Sequence, residues 1–72
     1  MTYFRIYLKP NNEVAIVQMG YCDEIDYNQN RFLSDNRFDT EEEAIEYLQD
    51  NHYNLPSGVK NPYSQSIRGI LD

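Results

Sequence analysis

The sequence is poor in the side chains that most protein chemistry uses, with one cysteine, Cys22, and one histidine, His52. Two such ligands cannot build a structural zinc site. A Cys–His nucleophilic pair also needs a third group that orients the histidine, and no local signature supplies one. Phosphate loops, dinucleotide fingerprints and nucleophile elbows are absent from the sequence as well. We therefore expect no enzyme activity, no cofactor and no metal.

Long hydrophobic runs are also lacking. No stretch approaches the roughly 18 apolar residues that a membrane-spanning helix needs. The beginning, "MTYFRIYLKP", alternates polar and apolar residues, unlike the core of a signal peptide. A lone cysteine cannot form an internal disulfide and fits a reducing compartment. These absences predict a cytoplasmic protein without membrane contact.

Basic residues are scarce, with six Lys and Arg against twelve Asp and Glu, a net charge of −6. Residues 23–50 carry ten acids and two arginines, so the negative charge is concentrated in this central block. Such a field repels nucleic acids and membranes and attracts basic partners. An equally open alternative is that the acids only keep a small protein soluble.

What is present is typical of a small α+β domain. Residues 2–9 and 13–21 have the alternation of two strands, joined by a turn at "PNN". Residues 31–34, "RFLS", predict a short third strand, and the segment T-x-x-E at Thr40 predicts a helix over residues 40–51. The expected fold is a three-stranded antiparallel sheet with one helix packed on one face, in the order β-β-β-α.

The chain is short enough for only one domain. We expect residues 1–53 to form its core and residues 54–72 an irregular C-terminal tail, docked or partly flexible. Pro56, Gly58 and Pro62 interrupt regular structure in this tail, and Ile67, Ile70 and Leu71 are available for a last helix or strand. The residues predicted to form the hydrophobic core are Ile6, Ile16, Phe32, Ile45 and Leu48.

Calcium is the one metal for which the sequence offers a partial motif. Asp26, Asn28 and Asn30 stand at the first, third and fifth positions of a D-x-N-x-N loop. The sixth position is Arg31 instead of glycine, and the twelfth is Arg37 instead of glutamate. An Asx-rich turn explains this stretch better than a calcium site.

Two groups of residues are candidates for contact with a partner. One is acidic: Asp23, Glu24, Asp26, Glu42, Glu43, Glu46 and Asp50. The other is the outer face of the first strand, formed by Tyr3, Arg5, Tyr7 and Lys9. Tyr and Arg recur in protein interfaces, and aromatic and basic side chains on a sheet can also bind nucleic acid. Tyr is also simply a good strand former.

The acidic block favours a non-catalytic interaction protein that docks on a basic protein surface, such as that of a nucleic-acid-processing enzyme, without touching nucleic acid itself. In size and acidity the chain resembles the small acidic proteins that phages and mobile elements encode to block nucleic-acid enzymes, although no motif carries this likeness. Two alternatives stay open: an accessory subunit of a larger assembly, and a nucleic-acid binder that uses the first strand. The sequence indicates neither the partner nor the oligomeric state.

Overall fold

The computed structural model of the chain describes residues 1–51 and 55–65. Its regular elements begin with strand β1 (Tyr3–Leu8) and strand β2 (Val14–Met19). Two short 3₁₀ helices follow, at Tyr21–Asp26 and Gln29–Arg31. Helix α1 (Glu41–Asp50) and a last 3₁₀ helix (Pro62–Gln65) complete the order. Within these residues no helix has the length and apolar character needed to cross a membrane. The architecture is a small α+β fold.

The predicted hairpin is confirmed. Strands β1 and β2 pair antiparallel, from Tyr3 opposite Met19 to Leu8 opposite Val14. Asn12 closes the turn with φ at 66°, a left-handed conformation that asparagine tolerates better than most residues. Its N–H donates to the carbonyl of Lys9 over 2.9 Å. The segment "PNN" therefore forms the turn that the sequence predicts.

The predicted third strand is wrong, and within residues 1–51 and 55–65 the sheet has two strands. Residues 32–38 do run beside β1, but they meet it only at two isolated bridges, Phe32 with Tyr7 and Phe38 with Phe4. The bridges are six residues apart on this segment but three apart on β1, so the chain bulges away between them. Ser34 stabilises the bulge because its Oγ accepts from the N–H of Asn36 over 3.0 Å. A continuous ladder cannot form across such a mismatch.

Helix α1 begins where the sequence predicts. The Oγ1 of Thr40 accepts from the N–H of Glu43 over 3.2 Å, and the Oε1 of Glu43 accepts from the N–H of Thr40 over 3.2 Å. This reciprocal capping box satisfies backbone donors that have no partner inside the helix. At the other end Asn51 is the C-cap, and its side-chain amide donates to the carbonyl of Tyr47 over 2.9 Å.

The hydrophobic core lies between α1 and one face of the hairpin, which we call the helix face. Its buried members are Ile6, Val14, Ala44 and Leu48. Ile16 packs against them half-buried. Two predicted core residues lie elsewhere: Ile45 is half-buried outside this cluster, and Phe32 is half-buried on the opposite face of the sheet.

That opposite face is also covered, by the segment 21–34, and we call it the loop face. Tyr3 and Arg5 point to this side, and each is only 5% exposed. Tyr21 contacts the Tyr3 ring, and Phe32 lies against Arg5. The hairpin is thus the middle layer of three, with α1 on one side and an irregular loop on the other.

Residues 55–65 return along the hairpin. Leu55, Val59 and Tyr63 pack against the core cluster, and Lys60 forms a parallel bridge with Glu13 beside the start of β2. The expectations for His52 and for Ile67, Ile70 and Leu71 lie outside the described residues.

Candidate functional site

The loop face holds a network of charged side chains around Glu24. One carboxylate oxygen, Oε1, accepts from Arg5 Nη1 over 3.1 Å, and the other, Oε2, accepts from Arg37 Nε over 3.1 Å. The Tyr3 hydroxyl also donates to Oε2. Arg5 completes the network by donating from Nη2 to the carbonyl of Ser34 over 2.6 Å. Glu24, a predicted contact residue, is therefore engaged inside the protein.

This network shifts the pKa of its members. The hydrogen bond from Tyr3 lowers the pKa of Glu24, and the nearby Arg37 and Arg5 guanidinium groups lower it further against the effect of burial. Burial, together with the bond to Glu24, raises the pKa of Tyr3. The network therefore favours a charged Glu24 and a neutral Tyr3, which is the arrangement of a structural anchor and not of an acid–base pair.

Aromatic rings complete the cover of the loop face. Tyr7 packs edge-on against both Tyr27 and Phe32, with ring centroids 5.1 Å apart in each pair. The Tyr7 hydroxyl accepts from the N–H of Asn28 over 3.3 Å. Of the predicted strand surface, Tyr3 and Arg5 are buried and Tyr7 is half-buried. These rings contact the protein's own loop, where stacking on bases would require exposed faces.

Asp23 and Asp26 lie at the surface of the same loop. The Oδ2 of Asp23 accepts from the N–H of Gly20 over 2.9 Å and so closes the turn into the first 3₁₀ helix. Asp26 is exposed at the end of that helix. The side chain of Asn28 accepts from the N–H of Asn30 over 3.0 Å, as in an Asx turn. No group of three potential metal-binding His, Cys, Asp or Glu side chains occurs among residues 1–51 and 55–65.

The first 3₁₀ helix also exposes two large hydrophobic side chains that the sequence analysis did not single out. Ile25 is 83% exposed and Tyr21 67% exposed, and Cys22 is exposed between them. The signal in the sequence was Ile25 itself, because it is the one aliphatic residue in "CDEIDYNQN". A single exposed hydrophobic residue is common on protein surfaces, so this pair alone identifies no ligand.

Helix α1 gathers the other predicted acids on its solvent side. At about 100° per residue, Glu42, Glu43, Glu46 and Asp50 fall within an arc of about 100°. All four are exposed, whereas Ala44 and Leu48 face the core. We call these four residues the acidic face of α1. Glu43 also serves the capping box, but in the described part of the chain Glu42 and Glu46 take part in no ion pair.

Four cations of the described residues are engaged away from this face. Arg5 and Arg37 bind Glu24, and Lys9 pairs with Glu13 over 2.8 Å. Arg31 donates to the carbonyls of Leu8 and Lys9, each over 2.7 Å. Helix α1 contains no basic residue at all. Among residues 1–51 and 55–65, the charges of Glu42 and Glu46 are therefore not neutralised by an ion pair.

The predicted acidic block is divided by the fold. Glu42, Glu43, Glu46 and Asp50 lie on the helix that covers one face of the hairpin, whereas Asp23 and Asp26 lie on the loop that covers the other face. The structure therefore brings the four helix acids together and separates them from the loop acids.

Comparison with known proteins gives one result. The model of a family of unknown function, DUF8545, matches residues 1–63. No curated protein and no solved structure matches the chain significantly. The matched range includes the hairpin, its covering loop, helix α1 and the strand-like contact at Lys60.

Proposed function

The chain belongs to the DUF8545 family, and we propose that it is a non-catalytic protein-interaction module that docks the acidic face of α1 on a basic protein surface. The observation that carries this proposal is the exposure of Glu42 and Glu46 without a cation partner in the described structure. By contrast, Glu24 in the covering loop is bound by two arginines.

Some of the charges on the acidic face of α1 are unfavourable for the helix itself. Glu42 and Glu46 are four residues apart on the helix, a spacing at which like charges repel. Glu46 and Asp50 lie toward the C-terminal half, where the helix dipole favours cations. The first-turn acids gain from the helix dipole, whereas Glu46 does not. A basic partner surface would offset this repulsion, because it attracts each of these carboxylates.

The spacing of the carboxylates supports a partner that normally binds phosphates. Glu42, Glu46 and Asp50 recur every four residues, about 6 Å along the helix axis. A regular row of negative charges is also what a nucleic-acid backbone presents to its binding proteins. The proposed partner is therefore a basic, nucleic-acid-binding protein surface, which the module would occupy in place of phosphates. The burial of Tyr3 and Arg5 weighs against the alternative of direct nucleic-acid binding by β1.

The test uses two matched charge reversals on opposite faces of the fold. Glu46→Lys changes the acidic face of α1, and Asp26→Lys changes the covering loop by the same amount of charge. The wild-type chain is used as bait in an extract of its native host, the retained protein is identified and purified, and its association kinetics with each variant are measured at low and high salt.

We expect Glu46→Lys to slow association and to flatten its salt dependence, because exposed charges act mainly on the encounter rate. Asp26→Lys should have a much smaller effect. A DNA oligonucleotide should compete with the wild-type chain for the partner. Equal on-rates and equal salt slopes for the two variants would reduce the acidic face to a solubility feature.

A further inference from the structure

The outer edge of β2 presents unpaired backbone groups. On β1, the N–H and C=O of Phe4 bond to Phe38, and the C=O of Ile6 bonds to Leu33, so these groups point away from β2. In an antiparallel pair, the residues opposite them point away as well. Those residues are Gln18 and Ile16. Their backbone groups have no hydrogen-bond partner within residues 1–51 and 55–65.

The chain begins to cover this edge and then leaves it. Lys60 donates its N–H to the carbonyl of Asn12 and accepts from the N–H of Val14, each over 2.8 Å. The next donor that a parallel ladder requires would come from residue 62. That residue is Pro62, which has no N–H, and the 3₁₀ helix Pro62–Gln65 starts there. The proline therefore ends the pairing after one bridge, and no other described residue pairs with the edge from Ile16 onward.

The usual protections of a strand edge are missing at this place. Proteins blunt exposed edges with charged residues, prolines or bulges, because an open edge accepts another strand. Strand β2 reads V-A-I-V-Q-M and has neither a charged residue nor a proline. Its pairing with β1 is regular, without a bulge, from Val14 to Met19. The edge is thus short but competent to pair.

We propose that the outer edge of β2 at Ile16–Gln18 binds an extended basic segment of a partner protein as an added strand. This inference rests on the proposed function and specifies how the partner is held: backbone hydrogen bonds would fix the segment, and alternate side chains would stand on the helix face, the side of the sheet that α1 covers. Lysine or arginine at those positions is complementary to the net charge of −6.

Charge also argues against a second copy of the chain as the occupant. Antiparallel pairing of two β2 edges about a two-fold axis places both α1 helices on the same side of the joint sheet. Two acidic helices would then share one side of the joint sheet, and two chains of net charge −6 would repel. A basic segment gains from the same field, so it is the favoured occupant.

The first measurement is amide hydrogen exchange of the full chain by NMR. The amides of Ile16 and Gln18 should exchange quickly, whereas that of Val17, which points to β1, should be protected. Protection of Ile16 and Gln18 equal to that of Val17 would overturn the proposal. If that protection grew with protein concentration, the occupant would be a second copy; if not, it would be the chain's own residues 66–72.

The second measurement is a titration with end-blocked synthetic hexapeptides. The probe alternates lysine and valine (KVKVKV), one control replaces lysine by glutamate (EVEVEV), and a second control carries a central proline (KVKPKV). The basic probe should slow exchange at Ile16 and Gln18 about tenfold at saturation, and the two controls should not. Equal protection by the glutamate peptide would overturn the basic chemistry of the partner.

The variants Gln18→Pro and Gln18→Thr test the edge directly. Both remove the side-chain bond from Gln18 to Thr2, but only proline removes the outward N–H. We expect Gln18→Pro to bind the basic peptide about tenfold more weakly, the worth of one hydrogen bond, and Gln18→Thr to bind it normally. If the basic peptide changes the NMR chemical shifts of α1 residues alone, strand addition is overturned but the acidic docking face is still supported. If the peptide changes no chemical shift, the result counts against both proposals.

Discussion

The guanidinium carbon of Arg5 lies over the face of the Phe32 ring, 3.9 Å from its centre. This contact joins the middle of β1 to the covering loop, and it places a cation against an aromatic ring while Glu24 binds the same guanidinium. Only the Nε of Arg5 is left without a hydrogen bond among the described contacts of this side chain. Arg5 therefore ties β1 to the covering loop through both a ring and a carboxylate.

Glu24→Gln should destabilise the fold by about 1–3 kcal/mol, because it leaves the buried Arg5 without its nearest charged acceptor and with only the exposed Asp35 carboxylate at 4.0 Å. Glu13→Gln is the matched control, since the pair of Glu13 with Lys9 is partly exposed and its loss should matter much less. Urea unfolding of the two variants and the wild type gives the comparison. Equal midpoints for both variants would mean that the network around Glu24 contributes nothing to stability.

Stability should fall in acid partly through Glu24. Its pKa is lower in the folded than in the unfolded chain, so its contribution is fully present above the unfolded value, about 4.3, and is lost as the pH falls through the folded value. The difference in unfolding free energy between wild type and Glu24→Gln should therefore shrink as the pH is lowered below about 4.3. A difference that does not vary with pH would contradict the assignment of this shift to Glu24.

Thr40→Ala should cost about 1 kcal/mol through loss of the helix cap, and Thr40→Ser should retain most of the stability because serine keeps the hydroxyl acceptor. Denaturant midpoints measure both. If the alanine variant unfolds at the wild-type midpoint, the hydroxyl of Thr40 does not carry the capping energy.

Leu48→Ala and Ile6→Ala should each cost about 2–5 kcal/mol, since both side chains are buried in the core and their truncation leaves a cavity. Ile45→Ala should cost clearly less, because Ile45 lies half-buried outside the core cluster. Thermal unfolding of the three variants would reveal the order. A loss at Ile45 as large as that at Leu48 would place the core on a different side of α1.

Glu46→Lys should raise stability by a few tenths of a kcal/mol, because it replaces a repulsive spacing to Glu42 by an attractive one and puts a cation toward the helix C-terminus. Glu42→Lys relieves the same repulsion but places a cation in the first turn, where the dipole disfavours it. It should therefore be less stable than Glu46→Lys. The reverse order of the two denaturation midpoints would show that local helix electrostatics do not govern this face.

Local signals predicted the hairpin and α1 well, because both depend on short-range chemistry. The turn at Asn12 and the capping box of Thr40 and Glu43 involve residues that are neighbours in the sequence. The third strand failed for a non-local reason: the spacing of the contacts along residues 32–38 does not match the spacing along β1. Alternation alone does not contain that information.

Non-local contacts also limited what the sequence could predict about the candidate site. The acids of α1 could be placed on one side from helical periodicity, and the structure places them there. The acids of the loop could not be told apart: Asp23 closes a turn, Glu24 is bound by arginines and Asp26 is exposed. Likewise, alternation identified Tyr3 and Arg5 as one face of β1, but it could not show that a loop twenty residues away in the chain would bury them.

The two layers that cover the hairpin, α1 and the loop, should respond differently to dissolved salt. On one side aliphatic side chains hold α1 in place, and salts such as sulfate strengthen apolar burial. On the other side ion pairs contribute, and one of them, between Glu24 and the half-exposed Arg37, is weakened when salt shortens the screening length to about 3 Å at 1 M. Concentrated sodium chloride should therefore weaken the attachment of the loop more than that of α1. The domain would then have two separable units of local unfolding, with the hairpin as their shared support.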